Sequence, residues 1–373
     1  MLLLIGALAS PQARAQVSLV LDGTGNFNDG ENWSSGSVPV SEPIIIDNGG
    51  TAQSSAANAV GSVNLDGGST LAVMPGDESS FDSDDFYAGT SGTGTLTIGS
   101  QALMNTRDFY AGYGADATGN VNVDGAYLSP DATYIGYAGN ATFVLQNGST
   151  LQSTTGSVGT LAGSHGILQL TDSTWKAVQQ STPVAITVGG QGTGEVQASG
   201  TSLILALSLT IGDGAAVTAE SSQIGLNAGS SGEVTLDDAL WTTTNTLTIG
   251  SAGNGEFNAS NGSVITATMI ELAAGNGITG SLAVTNSWVV TQTINAGNAD
   301  GASMEFDGAQ VNLLGGSSVT DTLLIEGFNA GSVVIAGGGL TVDTLGGNAQ
   351  IPSPLSGPGA LTKTGEGRLR QGA

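Results

Sequence analysis

Along most of this chain, apolar and polar residues alternate in short runs of period two, and glycine-rich turns break the runs. "GTGTLTIG" (Gly92–Gly99), "GNVNVDG" (Gly119–Gly125), "GEVTLDD" (Gly232–Asp238) and "GSLAVTN" (Gly280–Asn286) each read as a strand that buries every second residue. A further short segment follows such strands, as in "GSTLQS" (Gly148–Ser153) and "GSVITA" (Gly262–Ala267). Each unit is therefore expected to hold about three short strands separated by turns.

The units recur. A glycine preceded by a short apolar or aromatic stretch stands at Gly89, Gly112, Gly136, Gly159, Gly189, Gly212, Gly250, Gly275 and Gly297, in steps of 23, 24, 23, 30, 23, 38, 25 and 22. An extra "QIG" ending at Gly225 splits the step of 38 into 13 and 25. Periods of this size mean a solenoid or a propeller. The chain shows neither propeller signatures nor the fixed leucine ladder of leucine-rich repeats. The predicted fold is all-β: a right-handed, single-stranded parallel β-helix (a β-solenoid) of about twelve coils of ~23 residues. At the strand spacing its rod would be roughly 55–60 Å long.

Two stretches, Asp85–Gly89 and Asp108–Gly112, both read DFYAG, and Tyr134-Ile135-Gly136 echoes them one coil later. In a β-helix such residues lie on top of one another. The sequence thus predicts stacks of Tyr87, Tyr110 and Tyr134, and of Phe86 and Phe109.

The composition fits. Gly makes up 60 of 373 residues, charged residues only 10%, and the apolar share of 39% lies mostly in Ala, Val, Leu and Ile. The net charge of −25, with six basic residues, repels phosphate backbones and anionic lipids, so nucleic-acid binding is not expected. Only Arg107 and Lys176 among the six lie away from the ends. With no cysteine, disulfides and thiolate chemistry are excluded.

Residues 1–15 read as a secretory signal peptide. "MLLLIGALAS" is an apolar core, and Ala13-Arg14-Ala15 makes an A-x-A cleavage site before Gln16. The basic segment that opens such signals is missing, so the start is read as lying inside a longer one. Residues 16–47 lack the repeat. With Trp33, Pro39 and Pro43 they read as an irregular N-terminal cap leading into a first strand, Ile44–Asp47. Residues 48–350 carry the β-helix repeats, and 351–373 a further motif.

That motif, "GPGALTKTGEGRL" (Gly357–Leu369), resembles the autotransporter-associated β-strand repeat through Gly357, Gly359, Leu361, Lys363, Gly365, Gly367 and Leu369. The pattern N-W-x-x-G-x-x-P at Asn32–Pro39 is similar to caps in the same family of type V secretion passengers. The resemblance implies a passenger exported to the bacterial surface or outer membrane through a β-barrel translocator. The alternating strands such a barrel needs do not follow Gly347, so the chain is read as a truncated part of a longer autotransporter.

Candidate chemistry is sparse. His165, the single histidine, sits in "AGSHGIL" without a G-x-S-x-G elbow, and is read as a turn histidine. Asp82, Asp84, Asp85 and Asp108 form a candidate Ca²⁺ set, with Arg107 and Asp131 nearby; the plainer reading is a solvated face eased by an Asp84–Arg107 pair. The calcium-binding nonapeptide pattern does not recur. Asp237-Asp238 reads as a turn. Trp175, Trp241 and Trp288 stand at strand ends, as core or groove residues able to stack on carbohydrate.

The leading functional expectation is an exported surface stalk or passenger with a structural or adhesive role. It would be monomeric and without catalysis or cofactor, and its partners would be host or matrix glycans or proteins. The alternatives are a polysaccharide-acting β-helix lyase or hydrolase centred on Asp84–Tyr134, and a gene remnant without function.

Overall fold

The computed structural model describes residues 17–18, 24–47, 49–75, 79–179, 182–183, 186–199, 203–205, 208–212, 215–219, 221–225, 231–315 and 319–372. The expected signal peptide lies outside them. The described chain is all-β, and its parallel strands stack as a β-solenoid of about 13 turns. This is slightly more than the repeats predict, because both flanks already take part. In the cap, Val17–Ser18 pairs with Ile44–Ile46, and Thr24–Asn26 with Thr51–Ser54. At the other end Leu361–Thr364 pairs with Leu340–Asp343.

Each central coil consists of one long strand and one short one. Leu103–Ala111 pairs with Ser80–Ala88 on one side and Tyr127–Ile135 on the other, forming a first ladder. Thr118–Asp124 pairs with Thr93–Ile98 and Asn140–Gln146 in a second. The long strands bend in the middle. In Leu103–Ala111, Met104 and Thr106 point in, Arg107 and Asp108 both point out, and Phe109 and Ala111 point in again. The pairing skips Arg107 on both sides. Counting the two arms of the bent strand, a coil has the three straight segments that the repeat unit predicts.

The 13-residue step has a structural meaning. Up to Ser208–Ile211 the bent strands belong to the first ladder. The next segments, Ala216–Ala219 and Ser222–Ile224, are again the two arms of a bent strand and pair with Leu240–Ile249 in the second ladder. The short strand Ser231–Asp237 now stacks on Ser208–Ile211 in the first. One short strand has been dropped from the repeat, and the two strand types exchange ladders from there on.

Glycine corners separate the strands. Gly112 has φ +65°, and a Cβ there would run into the carbonyl oxygen of Asn140 one coil on. Gly275 does not belong to this series. Ile249 is in register with Leu272, so the residue equivalent to Gly250 is Ala273, which adopts φ +53°. The step is then 23 residues rather than 25.

In places the core stacks like residues. Phe86 lies on Phe109 with centroids 5.2 Å apart and planes 7° apart, and Phe143 meets Phe109 edge-on at 5.6 Å. At the N-terminal end Phe27 is fully buried between Trp33 (4.8 Å) and Phe81 (5.4 Å). The Trp33 indole N–H donates to the Phe27 carbonyl at 2.8 Å. Phe27 and Trp33 therefore cover the Phe81 ring with aromatic surface.

Candidate functional site

The outer faces of Ser80–Ala88, Leu103–Ala111 and Tyr127–Ile135 carry a cluster of tyrosines and aspartates around Arg107. Because the three strands run in register, Tyr87, Tyr110 and Tyr134 stack at 5.0 and 4.8 Å with planes within 9° of parallel. A second stack goes beyond the sequence expectation: Tyr113 and Tyr137 lie 5.3 Å apart at 5°. It meets the first edge-to-face, with Tyr113 5.2 Å from Tyr110 at 83°. The signal is present in the sequence as Gly112-Tyr113 and Gly136-Tyr137, 24 residues apart. Five of the six tyrosines thus form one flank patch, an arrangement in which aromatic pairs are favourable beyond the area they bury.

Carboxylates adjoin it at the bend. Arg107 grips Asp85 with both arms of its guanidinium, Nη2 at 2.7 Å from both carboxylate oxygens and Nε at 3.0 Å from Oδ1. Asp108 lies farther off, at 3.9 Å. The expected Asp84–Arg107 pair is corrected to Asp85–Arg107: with the backbone bent at this point, the guanidinium reaches back to the neighbouring carboxylate. Asp82 accepts from Asn105 Nδ2 at 2.7 Å.

The electrostatics follow from crowding. Asp108 is raised above the usual carboxylate range, first by burial, then by the charges of Asp85 and Asp131, with Arg107 opposing. The Tyr87, Tyr110 and Tyr134 phenols are all raised, again first by burial and also by Asp108. Arg107 is held protonated by its hydrogen bonds to Asp85. Of the Ca²⁺ candidates, Asp85 is engaged by Arg107, and Asp82 by Asn105. No group of three or more His, Asp or Glu placed to hold a metal ion occurs among the described residues.

His165 heads the strand His165–Thr171, between Asn140 and Thr193, rather than lying in a turn. It lines an open depression with Ser164 and Gly189–Thr193. The Ser164 hydroxyl is buried and has no hydrogen-bond partner among the described residues. No serine–histidine hydrogen bond forms here. Asp238 takes φ +49° at a corner, and Asp237 accepts from Asn261 at 2.6 Å, as a turn pair.

The three tryptophans are not equivalent. Trp175 and Trp241 are buried, and their indole N–H groups donate to Ser153 and Thr243. Trp241 is in register with Ile265 and Val289, whereas Trp288 is in register with Val264 and points outward, 41% exposed. A shift of one residue along the strand turns a side chain to the other face. In comparisons with known proteins, no family model, curated protein or solved structure matches the chain.

Proposed function

We propose that this chain is an exported structural β-solenoid, a stalk or passenger of the bacterial surface that makes adhesive contacts along its flank. The observation that carries the reading is the continuous stack of about 13 turns. Its side chains are spent on holding coil to coil, and the result is a rod roughly 60 Å long whose sides are its main surface. The A-x-A site before Gln16 and the autotransporter-like motif at Gly357–Leu369 support export.

The test is to express the full chain in a Gram-negative host, sequence the N-terminus of the envelope and secreted fractions, and measure attachment of the purified protein to matrix-coated surfaces. A mature chain beginning at Gln16 and binding above an unrelated acidic protein is expected. Unprocessed chain confined to the cytosol even when a basic segment is restored ahead of Met1 would refute export, and background attachment would refute adhesion.

A second reading, a glycan-cleaving enzyme, draws on the Asp85–Arg107–Asp108 group beside stacked tyrosines on adjacent coils. Depolymerisation of a polysaccharide by the parent and its loss in Arg107→Ala would establish it. The bidentate clasp on Asp85 leaves Arg107 poorly suited to act as a base.

A further inference from the structure

The acids are unevenly distributed around the rod. On the outer side of the first ladder stand Asp82, Asp85 and Asp108 in the first half, and Glu233, Glu256 and Glu305 in the second. The outer side of the second ladder is different. Its short strands present Thr95 and Thr97, then Asn120 and Asn122, then Thr142 and Val144. Beyond the exchange the first arms of its bent strands, which continue the face of the short strands, present Leu240 and Thr242, Val264 and Thr266, Trp288 and Val290. Within this stripe of short strands and first arms stands Glu195, with His165 heading one short strand, Asp124 and Asp343 at the edges and Lys363 in the last strand, while Glu271 and Glu326 lie on the second arms of the bent strands. In a chain of net charge −25, one face of the rod is thus poor in charge, covered mostly in hydroxyls, amides and a few apolar side chains.

Trp288 stands out on this side. The other three tryptophans are buried with their N–H groups donated. The Trp288 ring instead reaches over Gly262, where a Cβ would lie 3.8 Å from its Cζ3, and its N–H has no protein acceptor among the described residues. Asp238 lies at the rim of the same corner. On the far side the next coil presents Gln310, hydrogen-bonded to Asn312 at 2.7 Å.

From this we infer that the charge-poor stripe around Trp288 binds an uncharged, extended polysaccharide lying along the rod axis. The inference rests on the adhesive reading above and names its ligand. A polyanion would be repelled by the net charge, and a polycation would be drawn to the acids of the first ladder. What remains for the charge-poor face is a polyol, whose C–H faces pack on an indole and whose hydroxyls bond amides and threonines. Coils repeat every 4.7–4.9 Å or about that, close to the length of one pyranose in an extended β-linked chain. Successive sugars would therefore meet successive coils in the same way.

The test uses the purified chain with three probes: a neutral β-1,4-glucan oligomer, polygalacturonate and polylysine. Since Trp288 is the exposed tryptophan, its quenching by iodide reports directly on the site. The neutral oligomer is expected to protect it. Trp288→Ala should weaken oligomer binding about tenfold or more, leaving the melting curve in place, and Tyr110→Ala should bind as the parent does. Equal binding by parent and Trp288→Ala, or binding confined to the charged polymers, would overturn the inference. So would a concentration-dependent dimer abolished by Trp288→Ala, which would assign the stripe to a second copy, or thermal hysteresis without glucan binding, which would assign it to ice. A chain that adheres to surfaces yet ignores neutral glucans would sink this inference alone, whereas a chain that is never exported would sink the wider reading.

Discussion

Gly156 and Trp175 share one space in the core: a Cβ on Gly156 would collide with the Trp175 indole of the following coil. Position 156 stands in the column that runs Phe86, Phe109, Thr133, Gly156, Ile186. The column narrows where large rings enter from other strands, Phe143 against Phe109 and then Trp175 over Gly156. Gly156→Val should lower stability by about 1–3 kcal/mol through overpacking. A second substitution, Trp175→Leu, should recover part of the loss, so that the double variant is more stable than the sum of the single effects allows. Urea midpoints of the four proteins decide it, and strict additivity would refute the shared space.

Much of this architecture is legible in the amino-acid sequence. Period-two alternation with glycine corners every 23–25 residues leaves few folds other than a solenoid, and identical DFYAG segments one coil apart can hardly avoid stacking. What spacing does not convey is the local path of the backbone. The bend at Arg107 puts two successive side chains outside and hands the guanidinium to Asp85 instead of Asp84. The 13-residue step is visible at Gly225, but spacing alone does not say which ladder receives the next strand. Ala273 hides a corner because a left-handed residue there need not be glycine. Trp288 resembles Trp175 and Trp241 in sequence because a one-residue shift in register reverses burial without changing the composition around it.

Asp108 should act against stability at neutral pH. Its carboxyl is raised by burial, Asp85 and Asp131, whereas in the unfolded chain it ionises near the ordinary value of 3.8. Between those two pKa values the folded state binds more protons than the unfolded one, so its stability falls as pH rises through the folded pKa. Asp108→Asn should therefore stabilise the protein at pH 7, by less than about 1 kcal/mol since the group is partly solvated. The gain should vanish below about pH 3.8. A variant less stable than the parent at pH 7 would contradict the assignment.

The same carboxylate acts on the tyrosine stack. Asp108 contributes to the raised pKa of Tyr87, Tyr110 and Tyr134, after burial in each case. In Asp108→Asn, the near-ultraviolet phenolate titration should move to lower pH. It should stay above the ordinary tyrosine value of about 10, because burial persists. An unchanged curve would mean that Asp108 does not face the stack.

Two corner residues should respond with opposite severity. Gly112→Ala forces a methyl into the Asn140 carbonyl at φ +65° and should cost at least about 1 kcal/mol. Ala273 already bears φ +53° with its methyl buried. Ala273→Gly relieves the left-handed strain but loses that methyl and gains chain entropy when unfolded, and should change stability by no more than about 0.5 kcal/mol. Comparable losses in both would show that the two corners are not equivalent.

The dropped short strand makes the most specific prediction. If the ladders exchange because one short strand is absent after Ile211, then supplying one should reverse the exchange. A copy of residues 231–239 inserted between Gly212 and Ala215 would place the following bent strands back in the first ladder. Asn122 and Thr266 both lie on the outer side of the second ladder, in Thr118–Asp124 and Val264–Leu272. The chain has no cysteine of its own, so Asn122→Cys and Thr266→Cys can be spin-labelled without background. In the parent the two labels lie on one side of the rod and are separated only along its axis. In the insertion variant Thr266 moves to the other ladder, so the displacement across the coil adds at right angles to the axial separation, and the label distance should exceed that expected from the added axial rise alone. A folded insertion variant whose distance grows only by the axial rise would mean that the exchange is set by the later strands themselves rather than by the missing one.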